Sequence, residues 1–173
     1  AGFTTSLAKM KYFGSAVAGN FDINADCIPD IAVGARWHKE AGKNKSGAVY
    51  VLIMNADGTV AAEQKIARGV GGRATTVPDK NAEFGSSVTS PGDLNGDGVP
   101  DLVVGAIGDD EGGPNNGAVY VLMMNSDGTV AATEKLADGA GGFTASLNNN
   151  DNFGWSVGAL GDLNADGVGD IIV

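Results

Sequence analysis

Two reactive residue types are almost missing from this sequence: it holds one cysteine, Cys27, and one histidine, His38, in 173 residues. A single cysteine excludes an internal disulfide framework. Cys27 also has no histidine near it in sequence to activate a thiolate, and His38 sits in a polar loop where it reads as a solvated side chain. Catalysis therefore has no evident seat, and the chain reads as a non-enzyme. No apolar run is long enough to cross a membrane. Residues 1–12 lack the basic start and apolar core of a signal peptide, which predicts that any such segment was removed or was never present. Basic residues are scarce as well, 11 against 21 acidic ones for a net charge of −10, which sets the chain against nucleic acid and anionic membrane surfaces.

Glycine is abundant, with 28 residues, and fits tight turns between short strands better than helices. The apolar content of 43% is that of a globular chain with a core. The acidic residues are not scattered. Nine of the 21 fall in three loops of one pattern: Asp22-x-Asn24-x-Asp26-Cys27-x-x-Asp30, Asp93-x-Asn95-x-Asp97-Gly98-x-x-Asp101 and Asp162-x-Asn164-x-Asp166-Gly167-x-x-Asp170.

Oxygen-bearing side chains at positions 1, 3, 5 and 9, with a carbonyl near 7, can supply the six to eight hard ligands that calcium takes. Glycine at position 6 allows a positive φ and lets the loop fold round an ion. An EF-hand would add Glu at position 12 and a helix on each side. Position 12 of the middle loop is Val104, and a β-branched apolar run follows Asp101, so each loop joins two strands. A solvated Asp-rich turn would account for one loop but not for three in register. Up to three calcium ions are expected, and they would bring the net charge of −10 to about −4. Cys27 in place of the position-6 glycine predicts that the first site is the weakest.

A Phe-Gly pair stands nine residues before the first Asp of each loop: Phe13-Gly14, Phe84-Gly85 and Phe153-Gly154, spaced 71 and 69 residues apart. The first unit reads as a strand over 13–17, the acidic loop and a strand over 30–35. A loop over 36–46 then leads to the apolar run Gly47–Met54, a strand buried on both faces. The Asp57-Gly58 turn follows, then a strand over 60–67. Asp57-Gly58 and Asp127-Gly128 lack alternating acids and read as hairpin turns, not as metal sites. The second unit repeats the order over 84–137. The third shows 153–157, its acidic loop and 170–173. Repeats thus fall at 13–67, 84–137 and 153–173, with connectors at 1–12, 68–83 and 138–152. The expected fold is all-β: β-propeller blades, each a four-stranded antiparallel sheet, two complete plus half of a third, making residues 1–173 one partial propeller. A ring of four or more blades at this period needs about 280 residues or more.

Phe-Gly, the acidic loop, Val-Val-Gly-Ala and Gly-Ala-Val-Tyr-Val together resemble FG-GAP repeats, which build the propeller of integrin α-subunit heads and of many secreted or surface-anchored bacterial proteins. The resemblance implies calcium held between strands 1 and 2 of each blade. By position the ligands would be Asp22, Asn24, Asp26 and Asp30, then Asp93, Asn95, Asp97 and Asp101, then Asp162, Asn164, Asp166 and Asp170. The Pro that ends the family's Gly-Ala-Pro is Arg36 here and Ile107 in the next unit.

The resemblance also implies an extracellular or cell-surface module for recognition or adhesion, with its binding face opposite the calcium loops. There the loop over 36–45 is basic and carries Trp37, a contact surface for a protein or glycan partner or an ordinary solvated loop, whereas 108–116 is acidic. Two alternatives stand beside adhesion: a structural assembly unit of a surface layer or fibre, and a non-catalytic accessory domain of a secreted hydrolase. The half blade predicts that the chain is part of a longer propeller or self-associates through its open strand edge.

Overall fold

The computed structural model describes residues 12–39, 45–71 and 81–173; positions 1–11, 40–44 and 72–80 lie outside the described residues, and with them most of the first two connectors and half of the basic loop. Ten strands and no helix are found among the described residues. The first sheet is β1 (Phe13–Phe21), β2 (Asp30–Ala35), β3 (Ala48–Met54) and β4 (Val60–Ala67). The second is β5 (Phe84–Gly92), β6 (Asp101–Ala106), β7 (Ala118–Met124) and β8 (Val130–Leu136), and the third is the pair β9 (Gly158–Gly161) and β10 (Asp170–Ile172). In both four-stranded sheets the strands lie in sequence order and pair antiparallel, the up-and-down arrangement of a propeller blade.

Continuous apolar runs make two buried faces. In β3, Val49 and Val51 join the cluster shared with the second sheet, while Tyr50 and Leu52 pack with Val33 and Ala35 on the other side. In β6 the faces divide the same way, Leu102 and Val104 towards the first sheet and Val103 towards the third unit. All of these are buried, and each Val or Leu among them contributes about 1.5–3 kcal/mol relative to exposure. The Gly-Ala pairs have a steric purpose. A Cβ on Gly34 would stand 2.2 Å from the Gly85 carbonyl oxygen, and one on Gly105 would stand 2.0 Å from that of Gly154, so the second strand of one sheet touches the Phe-Gly of the next. Hydroxyls bind the same two carbonyls: Ser15 Oγ donates to Gly85 O at 3.0 Å and Ser87 Oγ to Gly154 O at 2.8 Å.

The first strands run longer than the sequence predicts, to Phe21 and Gly92 instead of 17 and 88. Irregularities in the pairing let each skip residues and still meet the acidic residue that opens the next strand, Phe21 opposite Asp30 and Gly92 opposite Asp101. The third unit departs further. The strand expected over 153–157 is instead a single bridge from Phe153 to Gly117 and a turn, and β9 begins only at Gly158. Phe13 pairs with Ala35 in the first sheet, and the matching partner for Phe153 would fall after Val173.

Candidate metal centre

The three acidic loops close by one hydrogen-bond scheme. At position 6 the amides of Cys27, Gly98 and Gly167 donate to the position-1 carboxylate, on Asp22, Asp93 and Asp162, at 2.7, 2.7 and 2.8 Å. The amides of Ile28, Val99 and Val168 donate to Asp26, Asp97 and Asp166 at 2.8, 2.8 and 2.9 Å. Between them, Asn24, Asn95 and Asn164 each donate Nδ2 to that same position-5 carboxylate at 2.9, 2.8 and 2.9 Å. Positions 4 and 6 are left-handed in every copy, with φ of 59° and 67° at Ala25 and Cys27, 78° and 88° at Gly96 and Gly98, and 62° and 88° at Ala165 and Gly167. Cys27 therefore adopts the backbone that glycine would take freely, at a cost on the order of 1 kcal/mol.

The position-9 acids reach deeper. Asp30 and Asp101 are fully buried at the start of β2 and β6. One oxygen of each accepts the loop amide of Ile23 or Leu94, at 2.9 and 2.8 Å; the other accepts the amide of Met54 or Met124 at the far end of the third strand, both at 2.9 Å. Each thus ties its loop to two strands. Burial pushes both carboxyls above the ordinary aspartate value; the amide hydrogen bonds oppose this, and the neighbouring charges of Asp26 and Asp22, or Asp97 and Asp93, add to it. Asp170 accepts the Leu163 amide at 2.8 Å, but its two-stranded sheet offers no third strand to tie.

The donor set is one that suits calcium: three carboxylates and one amide oxygen within nine residues, with like charges crowding a buried acid. Among the described residues no three acidic, histidine or cysteine side chains are already drawn into a cage. The loop carboxylates are turned onto the loop's own amides. The twelve residues named from the sequence fall into three separate groups, one per loop, all where the first strand of a unit passes into the second.

At the opposite pole the structure corrects one expectation and adds what the sequence reading missed. His38 is not solvated but 5% exposed, its ring edge-on to Tyr50 at 6.1 Å. Trp37 meets the Tyr12 ring at 4.3 Å, tilted by 57°, and carries Lys45 over its face at 4.2 Å, while Arg36 and Lys45 both approach Glu83, at 3.9 and 3.8 Å. In the second unit Asp109 is buried, accepts Tyr120 Oη–H at 2.8 Å and pairs with Lys135 at 2.8 Å; Glu111 also meets Lys135. The common offset of His38 and Asp109, three residues past the Gly-Ala pair, was the signal available in the sequence.

The FG-GAP repeat profile matches residues 13–52 and 84–122. Integrin alpha-3 of Cricetulus griseus is 34% identical over 162 residues, 94% of this chain and 14% of that protein. Integrin alpha-7 of Homo sapiens is 32% identical over 152 residues, covering 88% and 11%, and integrin alpha pat-2 of Caenorhabditis elegans is 42% identical over 96, covering 54% and 7%. The chain spans a small part of the length of each of these relatives.

Proposed function

This chain belongs among the FG-GAP repeat proteins, and from that premise we propose that it is a calcium-binding β-propeller module of an extracellular recognition or adhesion protein. The observation that supports calcium is the recurrence of one loop, with one set of hydrogen bonds, at three places about seventy residues apart. Asp22, Asn24, Asp26 and Asp30 would hold the first ion, Asp93, Asn95, Asp97 and Asp101 the second, and Asp162, Asn164, Asp166 and Asp170 the third. The ion would supply positive charge where the carboxylates crowd; the chain's residues place those oxygens on a strand-to-strand turn closed by its own amide bonds.

Adhesion rests on the integrin relatives and on the pole away from the acidic loops. Tyr12, Arg36, Ile107 and Trp155 line a cavity of about 410 Å³ at the end of the sheets away from the acidic loops. Trp155 is 65% exposed there, an aromatic available to a protein or glycan partner. The role is that of a binding module and not an enzyme, placed at a cell surface or outside the cell.

Thermal melts in millimolar calcium and in excess chelator test the metal reading. Extracellular calcium modules bind with Kd of about 10⁻⁴–10⁻³ M, so hundredfold excess over a Kd of 10⁻⁴ M adds about 2.7 kcal/mol per site. The melting temperature should rise clearly with calcium and less with magnesium. Equal melting temperatures with calcium and with chelator would exclude calcium as a structural ion.

A further inference from the structure

The second acidic loop differs from its two companions at position 4. Gly96 follows Asn95 there, where Ala25 follows Asn24 and Ala165 follows Asn164. An Asn-Gly step is where the next residue's amide nitrogen most readily reaches the asparagine side chain, because no Cβ hinders the approach. We propose that Asn95 is a deamidation site, held shut by the closed form of the loop and opened when that form is lost.

The reaction requires only water. The Gly96 nitrogen attacks Asn95 Cγ; the N–Cγ bond forms, the Cγ–Nδ2 bond breaks, and ammonia leaves with the proton from the Gly96 amide. The resulting succinimide takes up one water at either carbonyl and opens to aspartate or to isoaspartate, with no change of oxidation state.

The closed loop blocks each requirement of the attack. The Gly96 amide, the nucleophile, donates to Asp93 Oδ1 at 2.7 Å, and a carboxylate on that hydrogen disfavours its loss. The Asn95 side chain is held at both ends, Oδ1 accepting the Asp97 amide at 2.9 Å and Nδ2 donating to Asp97 Oδ2 at 2.8 Å, so it cannot turn freely to meet the attack. Both groups are nonetheless at the surface, so once those bonds part nothing else shields the step. The chain supplies its own controls. Asn24 and Asn164 make the same side-chain bonds, to Asp26 and Asp166, without glycine after them. Asn116-Gly117 has the glycine but is buried, Asn116 being 1% exposed and the Gly117 amide bound to Asp109 O at 3.0 Å.

The product matters for the ion through the calcium reading on which this consequence rests: isoaspartate places an extra main-chain methylene between positions 3 and 4 and spoils one loop out of three. The test keeps the two ideas apart. The 173-residue chain, its Asp93→Ala variant and its Gly96→Ala variant are incubated at neutral pH with chelator, and peptides are read by mass spectrometry for the one-dalton gain. Gain at Asn95 is expected in the parent chain before any at Asn24, Asn164 or Asn116, to be faster in Asp93→Ala, and to vanish in Gly96→Ala. Gain at Asn95 no faster in Asp93→Ala than in the parent would overturn the gating, and no gain at Asn95 in either would overturn the site. Because the readout is mass, a failure of calcium to bind leaves the result intact; calcium that binds the loop should slow the gain.

Discussion

Three residues past the Gly-Ala pair, the first sheet carries His38 and the second Asp109, and the backbone around the two is the same. The His38 amide donates to Ala35 O at 2.8 Å and the Asp109 amide to Ala106 O at 3.1 Å, while Gly47 and Gly117 donate back to His38 O and Asp109 O at 3.1 and 3.0 Å. The side chains do different things on this shared clamp. His38 lies against the Tyr50 ring; Asp109 joins the Tyr120 hydroxyl to the Lys135 ammonium. At the acidic pole the two sheets are alike down to the amide partners of Asp30 and Asp101. One pole is fixed by backbone partners and the other by a backbone clamp whose side chain is free to change, so the two sheets differ at the pole away from the acidic loops.

The largest effect should come from the shared pole. Asp101→Ala leaves the amides of Leu94 and Met124 without these acceptors, and Asp30→Ala does the same to Ile23 and Met54; each should lower the unfolding free energy by about 2–5 kcal/mol. Urea unfolding in chelator measures this apart from the metal. Losses at 30 and 101 that differ by more than about 1 kcal/mol would break the equivalence of the two sheets. Asp170→Ala, which orphans one amide at an exposed loop, should cost less than either.

The next effect sharpens the difference between the upper loops. Asp109→Ala removes the acceptor of the Tyr120 hydroxyl bond and one contact of Lys135 and should cost about 1–3 kcal/mol. Asp109→Asn, which keeps an acceptor for Tyr120, should recover part of that. An Asp109→Ala variant as stable as the parent would mean that the clamp alone holds the loop and the polar plug is idle.

Cys27 gives the smaller contrast within the acidic pole. Its φ of 67° matches the role that Gly98 fills at 88°. If the acidic loops hold calcium as proposed, Cys27→Gly should tighten binding at the first loop by up to tenfold, the equivalent of about 1.4 kcal/mol. Calorimetry on the variant reads this, and an unchanged affinity would mean that the strain at Cys27 is the same with and without the ion, a cost to folding and not to binding.

What could be read beforehand follows from the range of each signal. Turn and loop chemistry is local, so the acidic loops, the Asp-Gly turns and the edges of β2, β4 and β6 were legible from neighbouring residues. The full length of β1 and β5 was not, because it depends on irregular pairing that lets Phe21 and Gly92 reach acids nine residues on. The burial of His38 was also hidden, since a histidine in a polar loop shows nothing of the Tyr50 ring that meets it from β3. Likewise the bond from Asp30 to Met54 joins residues 24 apart in the chain, and a motif that ends at position 9 carries no trace of it.

The smallest prediction concerns the far hairpins, where the two sheets again agree. Asp57 and Asp127 each accept the amide and the hydroxyl of the threonine two residues on, at 2.9 and 2.6 Å in both turns. Chiefly through the Thr129 hydroxyl, this holds the Asp127 carboxyl below the ordinary aspartate value. A lowered native value means that the unfolded chain takes up the proton first as pH falls. The stability from this group is therefore present above the unfolded value, near 3.9, and is lost as pH falls through the native one. The turn is exposed, so solvent screening keeps the effect small. Asp127→Asn keeps an acceptor for Thr129 but cannot titrate. Its melting temperature should lie slightly below the parent's at neutral pH, and the gap should close as the pH is taken below about 4. A gap that stays constant from neutral to acid pH would show that charge at Asp127 adds nothing to the turn beyond the hydrogen bond that asparagine also makes.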